Sequence, residues 1–131
     1  DTPMDFTEGK LIGRDIKADF PALVNGKGYD SCWAIDNYNK GVMNPAATLS
    51  SEASGIKVDI MTTQPGVQIY TGNWLSGCPE GKCGKSYEDY EGVALECQAF
   101  PDAPNKANFP SAVLRPGEEY KEVIKFKFST L

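Results

Sequence analysis

The sequence predicts an all-β protein built as an antiparallel β-sandwich. Three observations favour this class: several short segments alternate apolar and polar residues, Gly- and Pro-rich turns separate them, and helical character is confined to one short stretch. The chain has 131 residues, of which 40% are apolar and 24% charged, a composition typical of folded globular proteins. We therefore expect residues 1–131 to form a single domain or a fragment of a larger one.

The N-terminal segment shows no strand pattern up to Asn25. Only Asp15–Asp19 indicates a helical turn, which we expect to stop before Pro21. The glycines of Gly26–Asp30 then predict a turn that delivers Asp30 to the start of a strand over Cys32–Tyr38. Because a strand and not a helix follows these glycines, the segment is not expected to bind phosphate.

Alternation of apolar and polar residues predicts the next strands. One is expected over Ala46–Ser51 and a clearer one over Ile56–Thr62. The turn Gln64–Gly66 then leads into a strand over Val67–Asn73. A loop rich in Gly, Ser, Glu and Lys is expected over Trp74–Glu91.

The C-terminal third contains two further predicted strands. The first begins at Gly92 and ends before the proline-rich turn region Pro101–Pro110. The second covers Tyr120–Phe128 and follows a turn at Arg115–Glu118. On this last strand Ile124, Phe126 and Phe128 are expected to share one face, since side chains alternate with period two.

Glu96 is an acidic residue inside an otherwise apolar strand pattern. It shares a face with Ala94, Gln98 and Phe100. A carboxylate in such surroundings is either paired or used in chemistry, because burying an unpaired charge is costly. We expect these neighbours to desolvate Glu96 and so make it a stronger base. The competing interpretation is a solvent-facing polar residue on a half-exposed strand.

Charge and hydropathy restrict the classes of partner. Eighteen acidic and thirteen basic residues give a net charge of −5, and the basic residues are scattered, so we expect no nucleic-acid partner. No apolar run approaches membrane-spanning length and the first residues lack a signal-peptide pattern, so we expect no membrane partner. The chain begins with Asp, from which we expect residues upstream to have been removed. The compartment stays open.

The absence of histidine restricts the chemistry further. It excludes His-containing metal sites and Ser–His or Cys–His dyads built from this chain alone. Cys32 and Cys97 are expected to be small buried thiols, whereas Cys78 and Cys83 lie in a Gly/Pro/Lys loop in which a local disulfide can form. Two loop cysteines are too few for zinc, and we expect neither a metal nor a cofactor.

Several blocks of the sequence resemble, in the right order, the C-terminal part of the aldose 1-epimerase family, the galactose mutarotases. The resemblance covers nearly the whole chain. It implies a large β-sandwich whose full chain is more than twice this length, so we expect an N-terminal half that this sequence lacks. The blocks that carry the resemblance are Asp1–Phe6, Gly28–Asp30, Thr63–Asn73, Gly92–Asn105 and Phe109–Glu118.

The resemblance also implies a reaction and its residues. Members of the family interconvert the α and β anomers of monosaccharides such as galactose and glucose. A glutamate matched by Glu96 takes the proton from the anomeric hydroxyl, and a histidine from the N-terminal half protonates the ring oxygen, after which the ring opens and recloses. Asp30 matches an aspartate that hydrogen-bonds sugar hydroxyls, and Gln64 matches a glutamine that lines the same pocket. The isolated chain is therefore expected to be inactive for want of the histidine.

Two positions depart from the family pattern, and other functions remain open. Ser31 stands where these enzymes commonly have histidine, and the loop that holds Cys78 and Cys83 is enlarged. A non-catalytic carbohydrate-binding β-sandwich is the main alternative. A glycosidase with Asp30 and Glu96 as its carboxylate pair is another. An epimerase for phosphorylated hexoses is a third, although no Arg/Lys cluster supports a phosphate site.

Overall fold

The computed structural model describes residues 2–131, so Asp1, which opens the first resemblance block, lies outside the described residues. The strands form two three-stranded sheets with the orders β1-β4-β5 and β2-β3-β6. This arrangement confirms the all-β class predicted from the alternation of residues. The helices are α1 (Ile12–Asp15) and α2 (Pro21–Gly26), the strands are β1 (Asp30–Ala34), β2 (Asn44–Ser51), β3 (Ile56–Thr62), β4 (Gly66–Tyr70), β5 (Ala94–Gln98) and β6 (Ile124–Thr130), and a 3₁₀ turn covers Ala103–Asn105.

The helical part of the chain differs from the prediction. Helix α2 begins at Pro21, where a helical turn was expected to stop. The proline suits the first helical position because its φ is already helical and its missing N–H would have no partner there. At the other end Lys27 is left-handed, with a φ of 56°, and the N–H of Gly28 donates to the carbonyl of Leu23 at 2.9 Å. This bond satisfies a carbonyl group that the helix end would otherwise leave unpaired.

The chain divides into two compact units. The first combines the N-terminal segment up to Ser31 with Ile69–Leu95, and the second combines Cys32–Gln68 with Glu96–Leu131. Tyr29 is fully buried in the first unit, where its hydroxyl donates to the carbonyl of Pro3 at 2.9 Å. The buried apolar residues of the second unit are Ile35, Ile60, Val67, Cys97 and Ala103.

Neither helix in residues 2–131 has the length and apolarity that a bilayer crossing requires.

Strand β3 pairs antiparallel with β2 and β6, and one face of this sheet is polar. Thr48, Asp59 and Lys127 lie side by side on it. The hydroxyl of Thr48 donates to Asp59 at 2.8 Å, and the ammonium of Lys57 lies 3.1 Å from the same carboxylate. The hydrogen bond from Thr48, followed by the one from Lys57, lowers the pKa of Asp59. On this face, Asp59 is therefore paired with side chains of its own sheet.

The opposite face of the same sheet is apolar. Directly opposed residues point to the same side, so the face carries one row across the sheet through Val58 and another through Ile60. Ile60 is 1% exposed, whereas its neighbour on β6, Phe126, is 46% exposed. The apolar face is therefore buried at Ile60 in β3, half-buried at Val58 and open at β6. The rows are Leu49–Val58–Phe128 and Ala47–Ile60–Phe126.

The connection from β3 to β4 moves the chain from one sheet to the other, since the two strands belong to different sheets. All residues from Thr62 to Val67 are buried. The carbonyl of Pro65 accepts the N–H of Ile35 at 2.9 Å, and the N–H of Gln64 donates to the hydroxyl of Thr62 at 3.1 Å. Gln64 is thereby held in a short and fully packed crossing.

Candidate functional site

Asp30 is the first residue of β1 and is exposed. The turn before it is held by Asn73, which is fully buried and donates its amide to the carbonyls of Gly26 at 2.8 Å and Tyr29 at 3.0 Å. Gly28 has a φ of +147°, and a Cβ there would lie 2.5 Å from the amide oxygen of Asn73. The turn thus needs glycine, as the sequence indicated, and its buried partner fixes the position at which β1 and Asp30 begin.

The hydroxyl of Thr71 completes this buried network. It accepts the N–H of Tyr29 at 3.1 Å and donates to the amide oxygen of Asn73 at 2.5 Å. The N–H of Thr71 also donates to the carbonyl of Tyr29 at 3.1 Å. Every polar atom of the Asn73 amide is therefore used inside the protein, which makes Asn73 a structural support for Asp30.

Lys27 connects the same turn to the Trp74–Glu91 loop. Its ammonium lies 3.9 Å from the centre of the Trp74 ring and 3.2 Å from the carboxylate of Asp89. The N–H of Ser76 donates to Asp89 at 2.9 Å, and this bond, more than any other group, lowers the pKa of that carboxyl. The hydroxyl of Tyr90 adds a bond to the carbonyl of Lys27 at 2.6 Å. These contacts hold the ends of the loop Trp74–Glu91 together, and we call it the clasped loop. Its first residue, Trp74, is an exposed aromatic residue.

Gln64 is 8% exposed and lies in the crossing between β3 and β4. Its amide nitrogen donates to the hydroxyl of Tyr120 at 2.9 Å. Tyr120 precedes β6 in a segment that is tied to the crossing at Thr63, whose N–H donates to the carbonyl of Val123 at 3.1 Å and whose hydroxyl bonds to Glu122. The amide of Gln64 is therefore oriented by a residue far along the chain.

Glu96 lies in the middle of β5, and its side chain is exposed. The expected desolvation is thus not found in residues 2–131, where this carboxylate makes no hydrogen bond or ion pair. The physical reason is that the buried face of β5 is the other one, on which Cys97 is 9% exposed. Burial raises the pKa of the Cys97 thiol, an effect that a hydrogen bond with Thr62 partly offsets. The carboxylate of Glu96 is consequently exposed, whereas the opposite face of β5 is buried at Cys97.

The three candidate residues are distributed over both compact units. Gln64 and Glu96 fall in the second unit, and Asp30 falls in the first. All four cysteines are free thiols, with Cys78 and Cys83 exposed in the clasped loop. No group of three metal-ligating side chains occurs within the described part of the chain.

Two supporting residues escaped the sequence-based interpretation. Asn73 was assigned to the end of a predicted strand, although an Asn after a Gly at a strand end is itself a turn signal. Tyr120 gave no signal, because its contact with Gln64 depends on the pairing of β6 with β3. Sequence patterns identify faces of strands, but they do not identify such long-range partners.

Comparison with known families and structures gives consistent matches. The family profile described as Aldose 1-epimerase matches residues 1–127. Galactose mutarotases of Rattus norvegicus and Homo sapiens are each 51% identical over 83 residues, covering 63% of this chain and 24% of theirs. The aldose 1-epimerase of Escherichia coli K12 is 34% identical over 129 residues, covering 97% of this chain and 36% of its own.

A solved structure resembles the chain over its whole length. It is the crystal structure of a GalM/aldose epimerase homologue from C. elegans, with a TM-score of 0.79 and 29% identity, covering 100% of this chain and 38% of that one. The likeness confirms the predicted antiparallel β-sandwich class. The chain spans between 24% and 38% of the length of these relatives.

Proposed function

Because the chain belongs to the aldose 1-epimerase family, we propose that the protein of which it forms part interconverts α and β anomers of hexoses such as galactose or glucose. The reaction requires removal of a proton from the anomeric hydroxyl and protonation of the ring oxygen, so that the ring can open and reclose from the other face. Residues 1–131 are proposed to be the C-terminal part of the family's larger sandwich. The parent protein is thus an isomerase whose substrate is a neutral monosaccharide.

Glu96 is proposed as the general base. The observation that carries this role is the exposed carboxylate of Glu96, which has no partner among residues 2–131 while the opposite face of its strand is packed. A carboxylate without internal partners has its lone pairs available to a substrate hydroxyl. A base must also lie within hydrogen-bond reach of the proton it removes, which an exposed side chain permits.

The acid that completes the reaction is proposed to come from outside this chain. The chain has no histidine, and the two proton transfers, one from the anomeric hydroxyl and one to the ring oxygen, need a base and an acid on either side of the anomeric carbon. We therefore assign the acid to the N-terminal half of the parent protein. The isolated 131-residue chain should accelerate mutarotation little or not at all.

Asp30 and Gln64 are proposed to bind sugar hydroxyls. Carboxylates and amides suit this task because they accept or donate more than one hydrogen bond in a fixed plane. The amide nitrogen of Gln64 is already engaged by Tyr120. This bond sets the orientation of the amide and leaves its oxygen as the acceptor for a sugar hydroxyl. The turn held by Asn73 has the corresponding role for Asp30.

Polarimetry of freshly dissolved α-galactose tests the proposed base in the full-length parent. Glu96→Gln should lower the catalysed rate by roughly 10²–10⁴-fold, the usual contribution of general acid–base catalysis. Glu52→Gln, at an exposed position beyond β2, is the matched control and should keep the parental rate. A Glu96→Gln protein with full activity would remove Glu96 from the mechanism. If calorimetry shows sugar binding by a parent that leaves mutarotation unaccelerated, the non-catalytic binding protein is correct instead.

The orientation of Gln64 can be tested separately with Tyr120→Phe. The variant removes one neutral hydrogen bond, so KM for galactose should rise by roughly twofold to tenfold while kcat stays near its parental value. Tyr87→Phe changes another exposed tyrosine and serves as the control. An unchanged KM in Tyr120→Phe would show that the bond to Gln64 does not serve substrate binding.

A further inference from the structure

Strand β6 is the edge of its sheet and carries an exposed apolar face. All residues of Ile124–Thr130 are exposed, and the strand is hydrogen-bonded to β3 on one side in the order β2-β3-β6. Ile124, Phe126 and Phe128, which we call the β6 face, are 45%, 46% and 71% exposed. Long edge strands with exposed apolar side chains favour association with a further strand, and folded proteins rarely leave them uncovered.

The β6 face continues a surface that is buried elsewhere in the same sheet. Phe126 lies directly opposite Ile60, which is 1% exposed, and Phe128 lies opposite Val58. The packing that buries Ile60 and half-buries Val58 therefore does not extend to β6. On the polar face, by contrast, Lys127 lies opposite the carboxylate of Asp59. The exposed apolar surface therefore lies on one side of β6, next to the edge with which no strand of residues 2–131 pairs.

A second copy of this chain is a poor occupant for that edge. Antiparallel self-pairing centred on Lys127 places two Lys127 side chains opposite each other, and pairing centred on Phe126 places Lys125 opposite Lys127. Like charges directly opposed across strands are destabilising. A strand from a different part of the protein avoids this repulsion if acidic or uncharged residues lie opposite these lysines, and acidic residues there also form ion pairs.

We propose that the β6 face and the outer edge of β6 bind the part of the parent protein that lies upstream of this chain, through a strand that alternates apolar with acidic or uncharged residues. The chain covers 97% of its own length but only 36% of the Escherichia coli relative, so related proteins contain enough additional chain to supply such a strand. The inference rests on the proposed function for the existence of the acid-bearing half. It adds the surface by which that half would bind the compact unit that carries Glu96 and Gln64.

Site-directed photo-cross-linking in the full-length parent tests this surface. p-Benzoylphenylalanine at position 128 should give cross-links to a peptide upstream of Asp1. The reason is that the upstream part of the parent protein is proposed to pack directly on the side chain at this position. The same photoreactive residue at position 52, in the exposed turn between β2 and β3, is the matched control and should give few upstream cross-links. Cross-links to a second molecule, cross-links only to residues within this chain, or a natural protein that contains no more than these residues would each overturn the proposal.

Hydrogen exchange provides a second measurement that needs no substitution. Amides of Ile124–Thr130 should exchange more slowly, by roughly tenfold or more, in the parent than in the isolated chain, because edge pairing protects them. Amides of the central strand β3 are already paired on both sides and should differ less. Equal exchange of β6 in both proteins would contradict the proposal. Neither measurement depends on activity, so the two proposals can fail separately. Upstream cross-links in a parent protein without mutarotase activity would contradict the proposed function but support the assignment of the β6 face as a binding surface.

Discussion

Replacement of Asn73 by alanine should destabilise the chain through one orphaned carbonyl. The side chain donates to the carbonyls of Gly26 and Tyr29 and accepts from the hydroxyl of Thr71. After truncation, Tyr29 keeps the N–H of Thr71 as a donor, and the Thr71 hydroxyl can turn to the Tyr29 carbonyl at 3.2 Å. The carbonyl of Gly26 loses its Asn73 bond and gains no replacement. An unsatisfied buried acceptor costs about 1–3 kcal/mol, and the half-buried carbonyl of Gly26 belongs at the low end of this range, to which the cavity left by the buried Asn73 side chain adds.

We therefore expect Asn73→Ala to lower the free energy of unfolding by about 2 kcal/mol, a large share of the usual total of about 5–15 kcal/mol. With a urea slope near 2 kcal/mol per molar, the unfolding midpoint should fall by about 1 M in equilibrium titrations followed by circular dichroism. Asn25→Ala, at an exposed position of α2, is the matched control and should change stability by less than about 0.5 kcal/mol. A loss for Asn73→Ala as small as that of the control would refute the assigned role of this network.

Two further perturbations concern packing and thiol chemistry. Gly66→Ala should destabilise the chain by about 1–3 kcal/mol through overpacking, since a Cβ there would lie 2.9 Å from the Phe100 ring. Gly13→Ala is the control for thermal unfolding because nothing lies within 4 Å of its Cβ. Iodoacetamide at mildly alkaline pH should modify the two cysteines of the clasped loop before Cys97, whose burial raises its thiol pKa and blocks access. Mass spectrometry that shows Cys97 reacting first would contradict its buried position.

The strands could be predicted because their alternation is local. Ile56–Thr62 was predicted with its observed bounds, and the turn before Asp30 was recognised from its glycines. The strand expected over Cys32–Tyr38 in fact covers Asp30–Ala34, and Ile35 instead donates its N–H to Pro65. Helix α2 was missed because proline was interpreted as a helix stop, whereas the same residue also starts helices.

The surroundings of the candidate base could not be predicted in the same way. Alternation correctly separates Glu96 from Cys97, but which face of β5 is covered depends on packing by distant parts of the fold. The contact between Gln64 and Tyr120 likewise depends on the register of β6 against β3. Residue patterns therefore indicate the candidate residues, and tertiary packing determines which of them are open to a ligand.

The buried crossing from β3 to β4 limits where the length of this chain can change during evolution or engineering. Thr62 to Val67 are all buried, and one inserted residue would shift β4 by one position, so that its inward side chains would turn outward. The loop between Ser76 and Asp89 is closed at its base by their mutual hydrogen bonds, and its tip is exposed. Insertions of peptide tags or whole domains should therefore be tolerated beyond this clasp and rejected at the crossing.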